Sequence, residues 1–290
     1  MKRIFSIIKI MTLVTVMMLS AGSLNAKKPV KVMILTGQNN HDWGKSSVIL
    51  KSYLDNSNLF DAELVVSPPE KSDMSSFNPD FSAFDVIVLD YFGAEWPEAT
   101  KTAFLNYVKN GGGVVVYHAA DNAFSQWAEY SEIIGIGWGR KEPYVYWQDG
   151  KIITDNSEGP SGHHGSQNAF PITIREKKHP ITKGLPERWI HPRDELYDQM
   201  RGPAKNMTVL ATAYASKEHG GSGREEPALM TIRWGKGRIF HTILGHVWPG
   251  DKDYPGLSSQ SFITTFLRGT EWAATGKVSQ KKDALTFNSH

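Results

Sequence analysis

The chain has 290 residues, with 32 Lys and Arg against 30 Asp and Glu, and no cysteine. A formal charge of +2 leaves no electrostatic footprint for nucleic acid, and the missing thiols exclude disulfides and cysteine nucleophiles. The length suits one large core, and no linker-like stretch divides it.

Residues 1–26 read as a cleavable export signal. Lys2, Arg3 and Lys9 accompany an apolar run through Met11 to Leu19, and a Ser-Leu-Asn-Ala stretch ends at Ala26 before Lys27-Lys28. The run is too short for a stable membrane span once cleaved. Its removal takes away three basic residues and no acid, so the formal charge falls from +2 to −1. The expected location is periplasmic or secreted.

Val30 to Leu35 opens the next segment, 27–276, as a strand, followed by a helix from Lys45 to Asp55 with Val48, Ile49, Tyr53 and Leu54 on one face. Ala62 to Val66 and Asp85 to Asp90 read as strands, and Pro97 to Asn110 as a helix with proline at its start. The glycines Gly111 to Gly113 then lead into a valine run ending at Tyr117-His118. Valines in series suit a strand buried on both faces. A helix is expected from Ala123 to Ile134. This alternation predicts an α/β fold with a mostly parallel sheet covered on both sides.

The second half is less regular. Tyr144 to Ile153 and Phe170 to Arg175 read as strands flanking a polar loop. Thr208 to Tyr214, Ala228 to Trp234 and Arg238 to Leu244 are three more, the last two joined at Gly235-Lys236-Gly237. Ser258 to Ala274 is a closing helix, and residues 277–290 form a tail expected to be disordered beyond Val278. His163-His164, His179 and His191 read as loop or turn residues, and His241 as packing.

Parallel strands present their carboxyl ends along one sheet edge, where open α/β folds bind ligands. His41 follows the first strand, His118 ends the fourth, and His246 lies past the last, so these three can converge. Glu195, in the acidic pair Asp194-Glu195, is the candidate carboxylate. Imidazole moves protons near neutral pH, and with a carboxylate it also binds zinc or a similar divalent ion. His118, His246 and Glu195 are the expected catalytic residues. His41, His118, Glu195 and His246 are the expected metal ligands, although no compact metal motif is present. His41, Asp42, Trp43, Asp121 and Trp248 are the expected substrate contacts, the tryptophans as stacking walls for a sugar. Gly111 to Gly113 precede their strand and lack a Gly-Lys-Ser/Thr sequel, so no nucleotide cofactor is expected.

The stretches ILTGQNNHDW, DVIVLD, NGGGVVVYHAAD, KHPITKGLP, DELY and GKGRIFHTILGH together resemble the trehalose-utilisation (ThuA-like) family, a branch of the class I glutamine amidotransferase-like fold. The resemblance implies a flavodoxin-like three-layer α/β/α architecture and a role in the metabolism of sugars, particularly 3-keto disaccharides or glycosides. His118 falls about where amidotransferases carry their cysteine, so glutamine hydrolysis through a thioester is excluded. The expectation is an exported enzyme cleaving or isomerising a keto-glycoside. A non-catalytic sugar-binding protein and a metal-dependent hydrolase of another polar substrate are the alternatives.

Overall fold

The computed structural model describes residues 28–279. The expected export signal, residues 1–26, and most of the expected tail lie outside them. In chain order the strands are β1 (Val30–Thr36), β2 (Phe60–Val66), β3 (Val86–Leu89), β4 (Gly113–Tyr117), β5 (Tyr144–Gln148), β6 (Lys151–Asp155), β7 (His163–His164), β8 (Asn168–Ile174), β9 (Arg188–Asp194), β10 (Tyr197–Asp198), β11 (Met207–Tyr214), β12 (Glu225–Trp234) and β13 (Gly237–Thr242). The α-helices are α1 (Trp43–Asn56), α2 (Glu98–Lys109), α3 (Ala128–Ile134) and α4 (Gln260–Thr275). No helix among the described residues is long and apolar enough to cross a membrane.

Eleven strands form one mixed sheet in the order β2-β1-β3-β4-β13-β12-β11-β8-β9, with β5 pairing to β12 and β6 to β5. From β2 through β13 every pairing is parallel; from β13 onward every pairing is antiparallel. The parallel core is built from uninterrupted apolar runs: Val32–Leu35, Val86–Leu89 and Val114–Val116 are almost wholly excluded from water. Such runs have no solvent face, so they demand helices on both sides. The crossover through α1 leads from β1 to β2, and that through α2 from β3 to β4 in the opposite direction along the sheet. Right-handed crossovers in opposite directions put their helices on opposite faces. Accordingly α1 packs with α4, while Phe104 of α2 meets Trp127 at the start of α3. The result is the three-layer α/β/α arrangement.

Three local expectations change. Between β4 and α3, His118–Asn122 forms a 3-10 turn and Ala123–Trp127 is not helical. Phe124 takes a left-handed φ of 50° that inserts its ring among Trp96, Trp127 and Tyr130, so burial of an aromatic overrides local helix preference. The single strand expected over Tyr144–Ile153 is a hairpin, because Asp149 (φ 51°) and Gly150 (φ 78°) supply the two left-handed residues of a tight turn. The Pro-containing stretch around His191 is the strand β9, where that imidazole is fully buried rather than in a turn.

Candidate functional site

The loop after β1 is held open by its own side chains. Asn39 Oδ1 accepts the His41 backbone N–H, and Asn39 Nδ2 donates to Asp90 Oδ1 at the end of β3. Asp90 Oδ2 takes the Ser46 hydroxyl of α1 at 2.7 Å. Burial pushes the Asp90 carboxyl up to about 7, against the opposing hydrogen bond from Ser46. His41 is thereby fixed with its Nδ1 at 2.9 Å from Asn40 Oδ1.

His118 leaves β4 with φ of 43°, a left-handed conformation uncommon outside glycine. Its ring stacks on Tyr197 at 4.4 Å, and its Nδ1–H donates to the Ile243 carbonyl at 2.6 Å. Those two contacts compensate the backbone cost and fix the ring. The donated Nδ1 protons of His41 and His118 leave Nε2 of each with a lone pair.

Glu195 and His246 are positioned by one carboxylate. Asp194 Oδ1 accepts the N–H groups of Glu195 (2.9 Å) and His246 (3.0 Å), while Oδ2 accepts from Gly245 N (2.7 Å) and His191 Nε2 (2.7 Å). Burial would raise its pKa, but His191 and the surrounding donors outweigh it and hold Asp194 below the ordinary carboxylate range. Gly256 is required beside it, since a Cβ there would fall 2.4 Å from the Asp194 carboxyl.

These loops bring four donors into one cluster. Glu195 Oε2 lies 3.7 Å from both His41 Nε2 and His118 Nε2, and Oε1 lies 3.7 Å from His246 Nε2. All four ligand atoms fall within 4.8 Å of one another. The three Nε2 atoms are buried and have no hydrogen-bond partner. Buried polar atoms rarely go unsatisfied, and three imidazole nitrogens aimed at a carboxylate suit a divalent cation. This His/Glu cluster can hold a metal ion.

The electrostatics are uneven. Burial would raise Glu195, but His118 and His41 outweigh it and keep it ionised, below the usual range. Burial opposes the charged form of His118, yet Glu195 more than offsets that and raises it. Burial instead lowers His41 to about 4, and burial with the neighbouring His118 lowers His246. His246 also differs in its outer contact: Gln167 Nε2 lies 3.1 Å from His246 Nδ1, while Gln167 Oε1 accepts from Arg193. That amide orientation leaves the proton on His246 Nε2. Coordination there requires the Gln167 amide to turn and accept from Nδ1–H instead.

His41 and Glu195 of the cluster open onto a cleft of about 490 Å³, lined also by Phe92, Trp138, His164, Tyr197 and Trp248, among others. Trp248 is 42% exposed, with its ring 4.7 Å from that of His41. The other expected contacts lie elsewhere. Asp42 caps α1 and pairs with Lys45. Trp43, the first residue of α1, lines a separate trough. Asp121 is fully buried on His241 Nε2 at 3.2 Å, which ties the 3-10 turn to β13 and keeps Asp121 from the cleft.

His164 was expected to be a mere loop feature. It pairs as β7 with β10, and its Nδ1 stands 3.4 Å from Glu195 Oε1 at the cleft edge. The available signal was the glycine before the His-His pair: a Cβ at Gly162 would sit 2.2 Å from Trp138, so this turn packs directly on a cleft wall.

The family model described as trehalose utilisation (ThuA) matches residues 31–273. A ThuA-like protein of Parabacteroides merdae is 53% identical, with a TM-score of 0.85 over 88% of this chain and 93% of that one. A ThuA-like protein of Bacteroides uniformis is 18% identical, with a TM-score of 0.58 over 89% and 96%, and shares the fold. A search of curated proteins finds no significant match. The chain belongs to the trehalose utilisation (ThuA) family.

Proposed function

We propose that this protein is an exported enzyme that cleaves or isomerises a keto-glycoside, with the His/Glu cluster holding a divalent ion. The observation that carries the reading is the set of three buried, unpartnered Nε2 atoms around Glu195. Zinc or a similar ion suits this nitrogen-rich donor set. Such an ion would stabilise negative charge developing on a carbonyl oxygen.

The residues around the cluster supply the remainder. A ketone at C3 of a sugar acidifies the C2–H, so a base can take that proton while the C1–O bond breaks. An acid then returns a proton to the departing oxygen, and the electron pair of the C–H bond ends in the new double bond. His164 is the titratable group beside Glu195 that the ion would not need, and at the open edge of the cleft it can exchange protons with solvent. Asn40 and Gln167 fix the imidazoles from outside. Trp138 and Trp248 offer flat walls to the C–H face of a pyranose.

The test is proton exchange and cleavage of methyl 3-keto-α-glucoside, followed by NMR in heavy water. Deuterium entering C2, or loss of methanol, is expected with the wild-type protein and not with His118→Ala. Absence of both events with the wild-type protein would overturn the reading.

A further inference from the structure

A second cavity of about 760 Å³ adjoins the cleft and shares Asn40 and Phe92 with it. It is formed by the loops after β1, β2 and β3. Chain direction diverges between β1 and β3, with one crossover leading to β2 and the other to β4. That divergence is the switch point at which open α/β sheets form their ligand crevice.

The trough is already shaped. Gln38 Nε2 donates to the Pro68 carbonyl at 2.8 Å, and Gln38 Oε1 accepts from Ala94 N at 2.8 Å. One amide thus joins all three loops, and its polar atoms are committed to them. What remains free is an apolar wall and a polar rim: half-buried Trp43, Val66 at 53% exposure, and exposed Glu70 and Lys71. An aromatic face beside a donor and an acceptor suits a second pyranose, stacked on its C–H face and held by its hydroxyls.

We infer that this trough binds the leaving sugar of a disaccharide whose reacting ring occupies the His/Glu cleft. The inference rests on the keto-glycoside reading for the direction of the substrate. It assigns Trp43 to the departing ring rather than the reacting one. A substrate with a small leaving group leaves the trough empty and forgoes its binding energy.

The experiment is calorimetric binding of trehalose and of methyl α-glucoside to the full chain, with turnover of their 3-keto forms measured alongside. Trehalose is expected to bind at least about tenfold more tightly. Trp43→Ala should bring trehalose down to the affinity of methyl α-glucoside and leave the latter unchanged. Lys71→Ala, on an exposed side chain that the fold does not need, should weaken trehalose alone by a few-fold. Equal affinities, no binding of either, or an equal loss for both ligands in Trp43→Ala would overturn the proposal. Trp43-dependent trehalose binding without turnover of either keto compound would sink the reaction and keep the trough. Turnover without any Trp43 dependence would do the reverse.

Discussion

The two halves of the sheet contribute differently to one site. The parallel half, β2 through β13, delivers His41, His118 and His246 from loops at the carboxyl ends of its strands. The antiparallel half delivers the oxygen donor Glu195 just after β9 and Gln167 just before β8, and a separate two-stranded sheet of β7 and β10 adds His164 at the edge. The nitrogen donors are thus set by general α/β topology, whereas the carboxylate depends on how the second half folds back. Asp194 is the seam, with the backbones of Glu195 and His246 on one of its oxygens.

The largest effect should come from removing a donor. Glu195→Gln takes away the anionic ligand and should lower affinity for a divalent ion by about 100-fold or more, as read by competition with a chelating dye. Thermal stability of the ion-free protein should fall at neutral pH, because the pairing with His118 and His41 that holds Glu195 below the usual range is lost. An unchanged affinity would separate Glu195 from the cluster.

Asp194→Asn tests the seam. The amide can accept at one atom only, so two of the four donors on this carboxylate lose their acceptor. A loss of about 2–4 kcal/mol in denaturant unfolding is expected. Ion affinity should fall by about 10–100-fold, as for other residues that orient ligands. Retained affinity with lost stability would make Asp194 structural alone. Gly256→Ala pushes a methyl group into the same carboxyl and should cost about 1–3 kcal/mol.

The smallest effect lies away from the seam, in the antiparallel half. Glu226 is buried, and burial pushes its pKa up to about 7 despite hydrogen bonds from Ser222 and Tyr144. Its folded pKa exceeds its unfolded one, so the folded state binds the proton more tightly. Its contribution is fully present below the unfolded pKa of 4.5 and is lost as pH rises through 7. Glu226→Gln should therefore flatten the fall in stability between those pH values, measured as urea midpoints. An unaltered slope would assign the fall to other groups, Asp90 being the next candidate.

Legibility in the sequence followed the same division. In the parallel half, continuous valine and isoleucine runs and a proline-started helix announce buried strands and crossovers. Their carboxyl ends locate His41, His118 and His246 without any contact information. In the antiparallel half and the small β7–β10 sheet beside it, the signal is split among short strands. β9 contains Pro192, and β7 and β10 are two residues each, so neither period nor propensity marks them. Glu195 was legible as an acidic residue out of place, but His164 was not, because its role depends on a turn packed against Trp138. Asp42 and Asp121 misled for one reason. Both are carboxylates close in sequence to a cluster histidine, yet one caps a helix and the other is buried on His241.

The measurement that tests the central claim most directly is elemental analysis of tag-free protein, wild type and His118→Ala, after exposure to divalent ions and extensive dialysis. The account predicts one ion per wild-type chain and its loss from His118→Ala, with the variant still folded by circular dichroism. Wild-type protein that acquires no ion, or a variant that binds it equally well, would contradict the account.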